Sequence, residues 1–192
     1  AVGLGTAALI TYISSLPFIV EDAYGRSPQL FSLVFAINAL GLTAAAQAGA
    51  RLVRRRSAAG LVDASQAAQL LAALVLLAVA LSGRPPLIAL LVPLFVLVSA
   101  FGMMRPNATA LALAGQGAIA GTASAYLGAL PFLMGAVLSP LAGLGGRGAA
   151  IPAAILMSVL CAGSLGLRLL LTRPNAKPLP APAAAPGPGP AE

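Results

Sequence analysis

The sequence has 192 residues, of which 59% are hydrophobic and only 8% are charged, and its formal net charge is +7. A soluble domain has roughly a quarter of its residues charged, so this composition excludes an ordinary soluble protein. It predicts instead an all-α membrane protein whose apolar helices face lipid.

The side chains that carry most enzyme chemistry are almost absent. The sequence has no histidine and one cysteine, Cys161. Ser-His-Asp and Cys-His catalysis, histidine metal sites and intrachain disulfides are therefore excluded. The acids are four in number: Glu21, Asp22, Asp63 and Glu192. We expect no enzyme activity, no metal and no cofactor.

Six apolar blocks are each long enough to cross the membrane, which takes roughly 20 helical residues. In chain order they predict transmembrane helices over residues 2–20, 30–52, 61–81, 87–113, 119–141 and 149–171. The charged or turn-forming segments EDAYGRSPQ, RLVRRRS, SGRPP, GQG and GLGGRG separate them. Residues 1–173 are thus predicted to form a six-helix bundle, and residues 174–192 a disordered Pro/Ala-rich cytoplasmic tail.

The basic residues predict the orientation, because cytoplasmic loops are enriched in Lys and Arg. With six spans, both ends of the segment share one side with the second and fourth loops. That side carries Arg51, Arg54, Arg55, Arg56, Arg105, Arg168, Arg173 and Lys177. The other side carries Arg26, Arg84 and Arg147. We expect both termini in the cytoplasm and the protein in the inner (plasma) membrane, with no nucleic-acid partner, since aromatic residues are not interleaved with the charges.

Polar residues inside the spans are the candidates for function. Tyr12, Ser15 and Phe18 are predicted to share one face of the first helix through their three-residue steps. Asn38 is costly in lipid and should face the bundle interior, where either an interhelical hydrogen bond or substrate contact would satisfy it. Arg105 is placed to snorkel to the inner interface, with a cavity-facing role as the alternative.

Two further patterns predict structural contacts. Asp63, near the start of the third helix, is expected to pair with an arginine across the preceding loop. Ser124, Gly128, Gly135 and Ser139 recur on one face of the fifth helix, where small side chains favour close packing with a neighbouring helix over substrate contact.

Two long stretches go beyond composition. The segment SLPFIVEDAYGRSPQLFSLVFAINALGL resembles the seventh and eighth helices of the bicyclomycin-resistance (Bcr/CflA) drug–proton antiporters, a family of the major facilitator superfamily. The segment RPNATALALAGQGAIAGTASAYLGALPFLMGAVLSPLAGL is similar to the tenth and eleventh helices of that family, including the runs PNATALAL and AGTASAYLG. The loop RLVRRRS keeps only the basic character of the superfamily's loop signature, and Arg105 stands where an apolar residue is expected.

The resemblance implies the carboxy-terminal six-helix half of a twelve-helix multidrug efflux antiporter that confers antibiotic resistance. A chain that begins inside a span, without an initiator Met, fits this expectation. The implied partners are the lipid bilayer, an N-terminal six-helix half that carries the coupling carboxylate, protons, and a small hydrophobic or amphipathic drug-like substrate. The residues implied to contact substrate are Tyr12, Ser15, Phe18, Asn38 and Tyr126.

Other functions remain open at this stage. A major facilitator transporter for a metabolite, such as a sugar or an amino-acid derivative, would keep the same fold. An intramembrane protease would need a serine with a basic partner, and the chain has neither histidine nor a GxSxG motif. A channel or a structural subunit is the third alternative.

Overall fold

The computed structural model describes residues 2–83, 85–114, 120–143 and 150–171, and in these ranges the chain is helical with short connections. The helices are α1 Val2–Pro17, α2 Pro28–Leu52, α3 Ala58–Leu81, α4 Leu87–Leu113, α5 Ala120–Gly143 and α6 Ala150–Leu171. Five helical segments within the described residues are long and apolar enough to span a membrane. The remaining helix, α5, has 24 residues and contains no charged side chain. The predicted all-α membrane fold is confirmed.

The predicted and observed helix ends agree best for α4, whose N-terminus has no side-chain cap. Helix α4 has the predicted limits, whereas α2 and α3 begin two or three residues earlier than predicted. Their first turns are capped by serine hydroxyls: Ser27 accepts from the Leu30 amide at 3.4 Å, and Ser57 accepts from the Gly60 amide at 3.1 Å. Such a cap starts the helix before the first apolar residue. The predicted first residues Ile119 and Ala149, and the predicted tail 174–192, lie outside the described residues.

The first span is longer than predicted. The helix does not stop at Val20, because a π-helix, Phe18–Ala23, continues directly from α1. Pro17 has no backbone N–H to donate to the preceding turn, so it marks the point at which the hydrogen-bonding pattern changes. Glu21 and Asp22, predicted to end the span, are part of this π-helix.

The helices pack around a core formed by α1, α3, α4 and α6. Helix α3 contacts α4 and α6, α1 contacts α5 and α6, and α2 contacts chiefly α4. Among the fully buried side chains are Leu16, Ile19, Leu76, Leu94 and Met157. Only 17% of the most apolar segment of α2 is buried, against 39–56% in the other four candidate spans. Helix α2 is therefore peripheral, and most of its surface faces outward.

Helices α2 and α4 are in close contact at two glycine residues. A Cβ placed on Gly102 would overlap the backbone carbonyl of Leu42, and one placed on Gly49 would lie 3.0 Å from Met103 Cγ. Small residues permit such contact where lipid supplies no hydrophobic drive between helices. The close packing predicted for the small-residue face of α5 is wrong at Gly128, where an added Cβ would meet no atom of the described residues within 4 Å. The side-chain surroundings of Gly135 and Ser139, on the same predicted face, lie outside the described part of the chain.

Asp63 forms an ion pair, but its partner differs from the prediction. Its carboxylate accepts a hydrogen bond from Nε of Arg168 in α6, rather than from an arginine of the preceding loop. Nη2 of Arg168 also donates to the Ala59 carbonyl at 3.1 Å. Because α3 packs against α6, the start of one helix meets the end of the other, and the two charges meet there.

Candidate substrate-binding site

An apolar cavity of about 250 Å³ lies between α2 and α4. Its lining residues are Val34, Ile37, Asn38, Ile88, Leu91, Val92 and Phe95. All of them precede the contact between Leu42 and Gly102, so the cavity occupies the N-terminal portion of this helix pair. Among these lining residues, Asn38 alone is polar and none is charged.

Asn38, the polar residue of this lining, carries a buried acceptor without a partner. The residue is 3% exposed, and its Nδ2 donates to the Val34 carbonyl of its own helix at 2.9 Å. Its Oδ1 has no hydrogen-bond partner among the described residues. The interhelical hydrogen bond that the sequence offered as one reading is therefore not formed. A buried acceptor left without a partner costs about 1–3 kcal/mol.

Tyr12 of α1 lies close to Asn38 of α2. The tyrosine is 2% exposed, and the Asn38 side chain is close enough to influence its hydroxyl. In the described part of the chain, however, that hydroxyl has no hydrogen-bond partner either. The pair thus combines an unused O–H donor with an unused Oδ1 acceptor in a dry environment.

The other predicted contact residues do not join this pair. Ser15 is buried, and its hydroxyl donates to the Thr11 carbonyl at 2.7 Å, so its donor is used within α1. Phe18 is 39% exposed and does not share the buried face of Tyr12 and Ser15. The predicted common face is wrong for Phe18 because each three-residue step falls about 60° short of a full turn, which places the third residue about 120° from the first. Tyr126 of α5 is 69% exposed.

The apolar wall from α4 was not singled out by the sequence. Ile88, Leu91, Val92 and Phe95 follow the spacing i, i+3, i+4 and i+7, which places them on one helical face. That spacing is the available signal, but nearly every residue of the span is apolar, so the periodicity does not stand out.

A larger cavity, of about 660 Å³, lies at the loop end of the bundle. Its lining includes Asp22, Tyr24, Pro85 and Ile151. The Tyr24 hydroxyl donates to the Pro85 carbonyl at 2.6 Å and so joins the connection after α1 to the connection before α4. Burial raises the pKa of Tyr24 above its ordinary value, which further favours the protonated hydroxyl that donates here.

Comparison with known proteins gives one informative match. The chain is 34% identical over 164 residues to the uncharacterized MFS-type transporter YdgK of Bacillus subtilis (strain 168), a match that covers 85% of this chain and 40% of that protein. The similarity supports the major facilitator superfamily. No protein-family model and no solved structure matches the chain. The chain spans less than half the length of YdgK, the curated relative that it matches.

The depth of Asn38 fits a major facilitator chain. It lies ten residues after Pro28, the first residue of α2, which is about 15 Å along the helix axis and close to the middle of an apolar layer roughly 30 Å thick. Many transporter folds place substrate near the bilayer midplane. The cavity between α2 and α4 is therefore at a suitable depth for a transported ligand.

Proposed function

We propose that this chain forms part of the substrate pathway of a secondary active transporter that exports small hydrophobic or amphipathic drug-like molecules in exchange for protons. The observation that carries the proposal is the apolar cavity between α2 and α4, in whose lining Asn38 is the one polar residue. An apolar lining with few polar groups is typical of sites for hydrophobic ligands.

The same lining argues against a polar metabolite. A sugar carries several hydroxyl groups, and each would lose its hydrogen bonds to water on entering a cavity with a single polar residue. One hydrogen bond to Asn38 would offset only a fraction of that cost. A largely apolar molecule with one N–H or O–H donor fits the cavity better.

The facing wall and the coupling group are proposed to lie outside this chain. The acids of the described residues are Glu21 and Asp22 in the π-helix, and Asp63, which is bonded to Arg168. None of them lies in the middle of a span. We propose that an N-terminal six-helix half supplies a membrane carboxylate and closes the cavity, and that the two halves rock to expose it alternately. In this arrangement both ends of the present segment face the cytoplasm of the inner membrane.

Efflux of a fluorescent hydrophobic dye from cells that express the full-length gene tests the proposal. We expect efflux that stops when a protonophore collapses the proton gradient. The Asn38→Leu variant should reduce transport by roughly 5- to 30-fold, which corresponds to the loss of about 1–2 kcal/mol of ligand interaction. Thr43→Val is the matched control, because Thr43 is exposed on α2 and bonds only the carbonyl of Ala39 in its own helix.

Three results would count against parts of the proposal. Dye efflux that persists with a protonophore would overturn proton coupling. Uptake of a sugar or amino-acid derivative without dye efflux would favour the metabolite transporter. Transport by the 192-residue chain alone would show that no second half is needed.

A further inference from the structure

We propose that the C-terminal end of α2 binds the phosphate headgroup of an anionic phospholipid. The site is a shallow recess of about 410 Å³ on the surface of the bundle, lined by Gln47, Ala50, Arg51 and Arg54. It lies at the opposite end of α2 from the cavity that contains Asn38. This binding is independent of the proposed transport activity.

The backbone holds four arginines close together at this recess. We call Arg51, Arg54, Arg55 and Arg56 the arginine turn. After α2 ends, the chain continues in hydrogen-bonded turns: the amide of Arg54 donates to the Arg51 carbonyl at 3.3 Å, and those of Arg55 and Arg56 donate to the Leu52 carbonyl at 2.9 and 2.8 Å. All four side chains are exposed. Four guanidinium groups are thus concentrated within six residues.

Among the described residues, no carboxylate forms an ion pair with the arginine turn. Glu21 and Asp22 lie at the other end of the bundle, in the π-helix that precedes α2. Asp63 is the acid nearest in sequence, and its carboxylate is bonded to Arg168. Four like charges that lack an internal counter-ion favour an external anion. Guanidinium groups bind phosphate through paired N–H donors, which makes a phosphate ester the best-matched partner.

The neighbouring apolar residues favour a lipid over a soluble anion. Leu52 and Val53 lie within the arginine turn and are exposed. They end a helix that spans the membrane, so they lie at the depth where acyl chains begin. A phospholipid can contact these apolar side chains and the guanidinium groups at once, as basic clusters beside membrane helices do. A free phosphate or a nucleic acid would use only the charges.

The enrichment of Lys and Arg in cytoplasmic loops would also explain basic residues at this position. The experiment must therefore measure lipid binding by the protein after it has been inserted into the membrane and purified. The full-length protein is purified in detergent, and its thermal unfolding is followed while phosphatidylglycerol or phosphatidylcholine is added. We expect phosphatidylglycerol to raise the Tm by several degrees more than phosphatidylcholine does. The difference should fall by at least half in the Arg51→Gln/Arg54→Gln variant. It should also fall in about 1 M salt, where charges are screened beyond roughly 3 Å.

The control is Arg26→Gln, which removes an exposed arginine at the opposite end of the bundle and should leave the lipid effect unchanged. If the glutamine variant fails to fold, the Arg51→Lys/Arg54→Lys variant, which keeps the charge but not the paired donors, should show a reduced shift. Equal stabilisation by both lipids would overturn the proposal. Equal stabilisation by inorganic phosphate, or binding of a short oligonucleotide that the glutamine variant abolishes, would replace the lipid with a soluble anion or a nucleic acid.

Discussion

Asp63 and Arg168 differ in exposure, and this difference determines what each substitution should do. The Arg168 side chain is 14% exposed, whereas that of Asp63 is 47% exposed. The Asp63→Leu variant leaves a largely buried guanidinium without its carboxylate and should lose about 2–3 kcal/mol of unfolding free energy. The Asp63→Asn variant keeps an acceptor for Nε and should lose only about 1 kcal/mol. Denaturant unfolding in detergent micelles measures both.

Asp22→Asn serves as the control for this pair. Asp22 is an exposed acid at the other end of the bundle, so its substitution should change stability by less than about 0.5 kcal/mol. Equal losses for Asp63→Asn and Asp63→Leu would contradict the role of the hydrogen bond. Little loss in either variant would show that the ion pair does not stabilise the packing of α3 on α6.

At the level of single residues, the sequence predicted which polar side chains would be important but not which groups they would bond. Asn38 and Tyr12 stood out because polar groups are rare in an apolar span, and the structure brings these two together. The sequence could not show that the Asn38 amide bonds its own helix, because rotamer and packing decide between that carbonyl and another helix. Arg168 is 105 residues from Asp63, and only the packing of α3 against α6 selects it.

The approach of α2 to α4 can be tested with a single methyl group. A Gly102→Ala substitution would force its Cβ against the backbone carbonyl of Leu42, which cannot rotate away as a side chain could. We expect the helices to separate, with a loss of about 1–3 kcal/mol of unfolding free energy. Thermal unfolding in detergent provides the measurement.

Gly166→Ala is the matched control, since an added Cβ at Gly166 in α6 meets no atom within 4 Å. Alanine is the better helix former, so this variant should match the wild type or gain up to about 1 kcal/mol. A Gly102→Ala protein as stable as Gly166→Ala would show that α2 and α4 do not touch at this point.

Whole helices were predictable because hydropathy fixes how many residues the bilayer requires. The ends of the helices were less predictable. Serine caps extend α2 and α3 at their N-termini, and α1 continues after Pro17 as a π-helix. Which face of a helix packs was hardest to predict. In spans where almost every position is apolar, the glycine contact at Gly102 and the open position at Gly128 give the same signal in sequence.

The asymmetric charge predicts the orientation of these helices in the membrane, and cysteine labelling can test that prediction. Cys161 is the one cysteine in these 192 residues and is buried, so the Cys161→Ala substitution removes the thiol of this segment. In that background, an impermeant maleimide added to intact cells should label the Gln29→Cys variant at the outer end of α2. It should not label Val53→Cys, at the inner end, until the cells are opened. The reverse pattern would place both termini outside.

The contact between Leu42 and Gly102 also limits how a molecule could cross at this helix pair. Every residue around the cavity of Asn38 precedes this contact in α2 or α4, so the backbones themselves close one end of the cavity. A constriction formed by side chains can open when a side chain changes rotamer. A constriction formed by two main chains in contact cannot open in this way. If the proposed ligand binds beside Phe95, its passage along this helix pair to the far side of the membrane would require the displacement of whole helices.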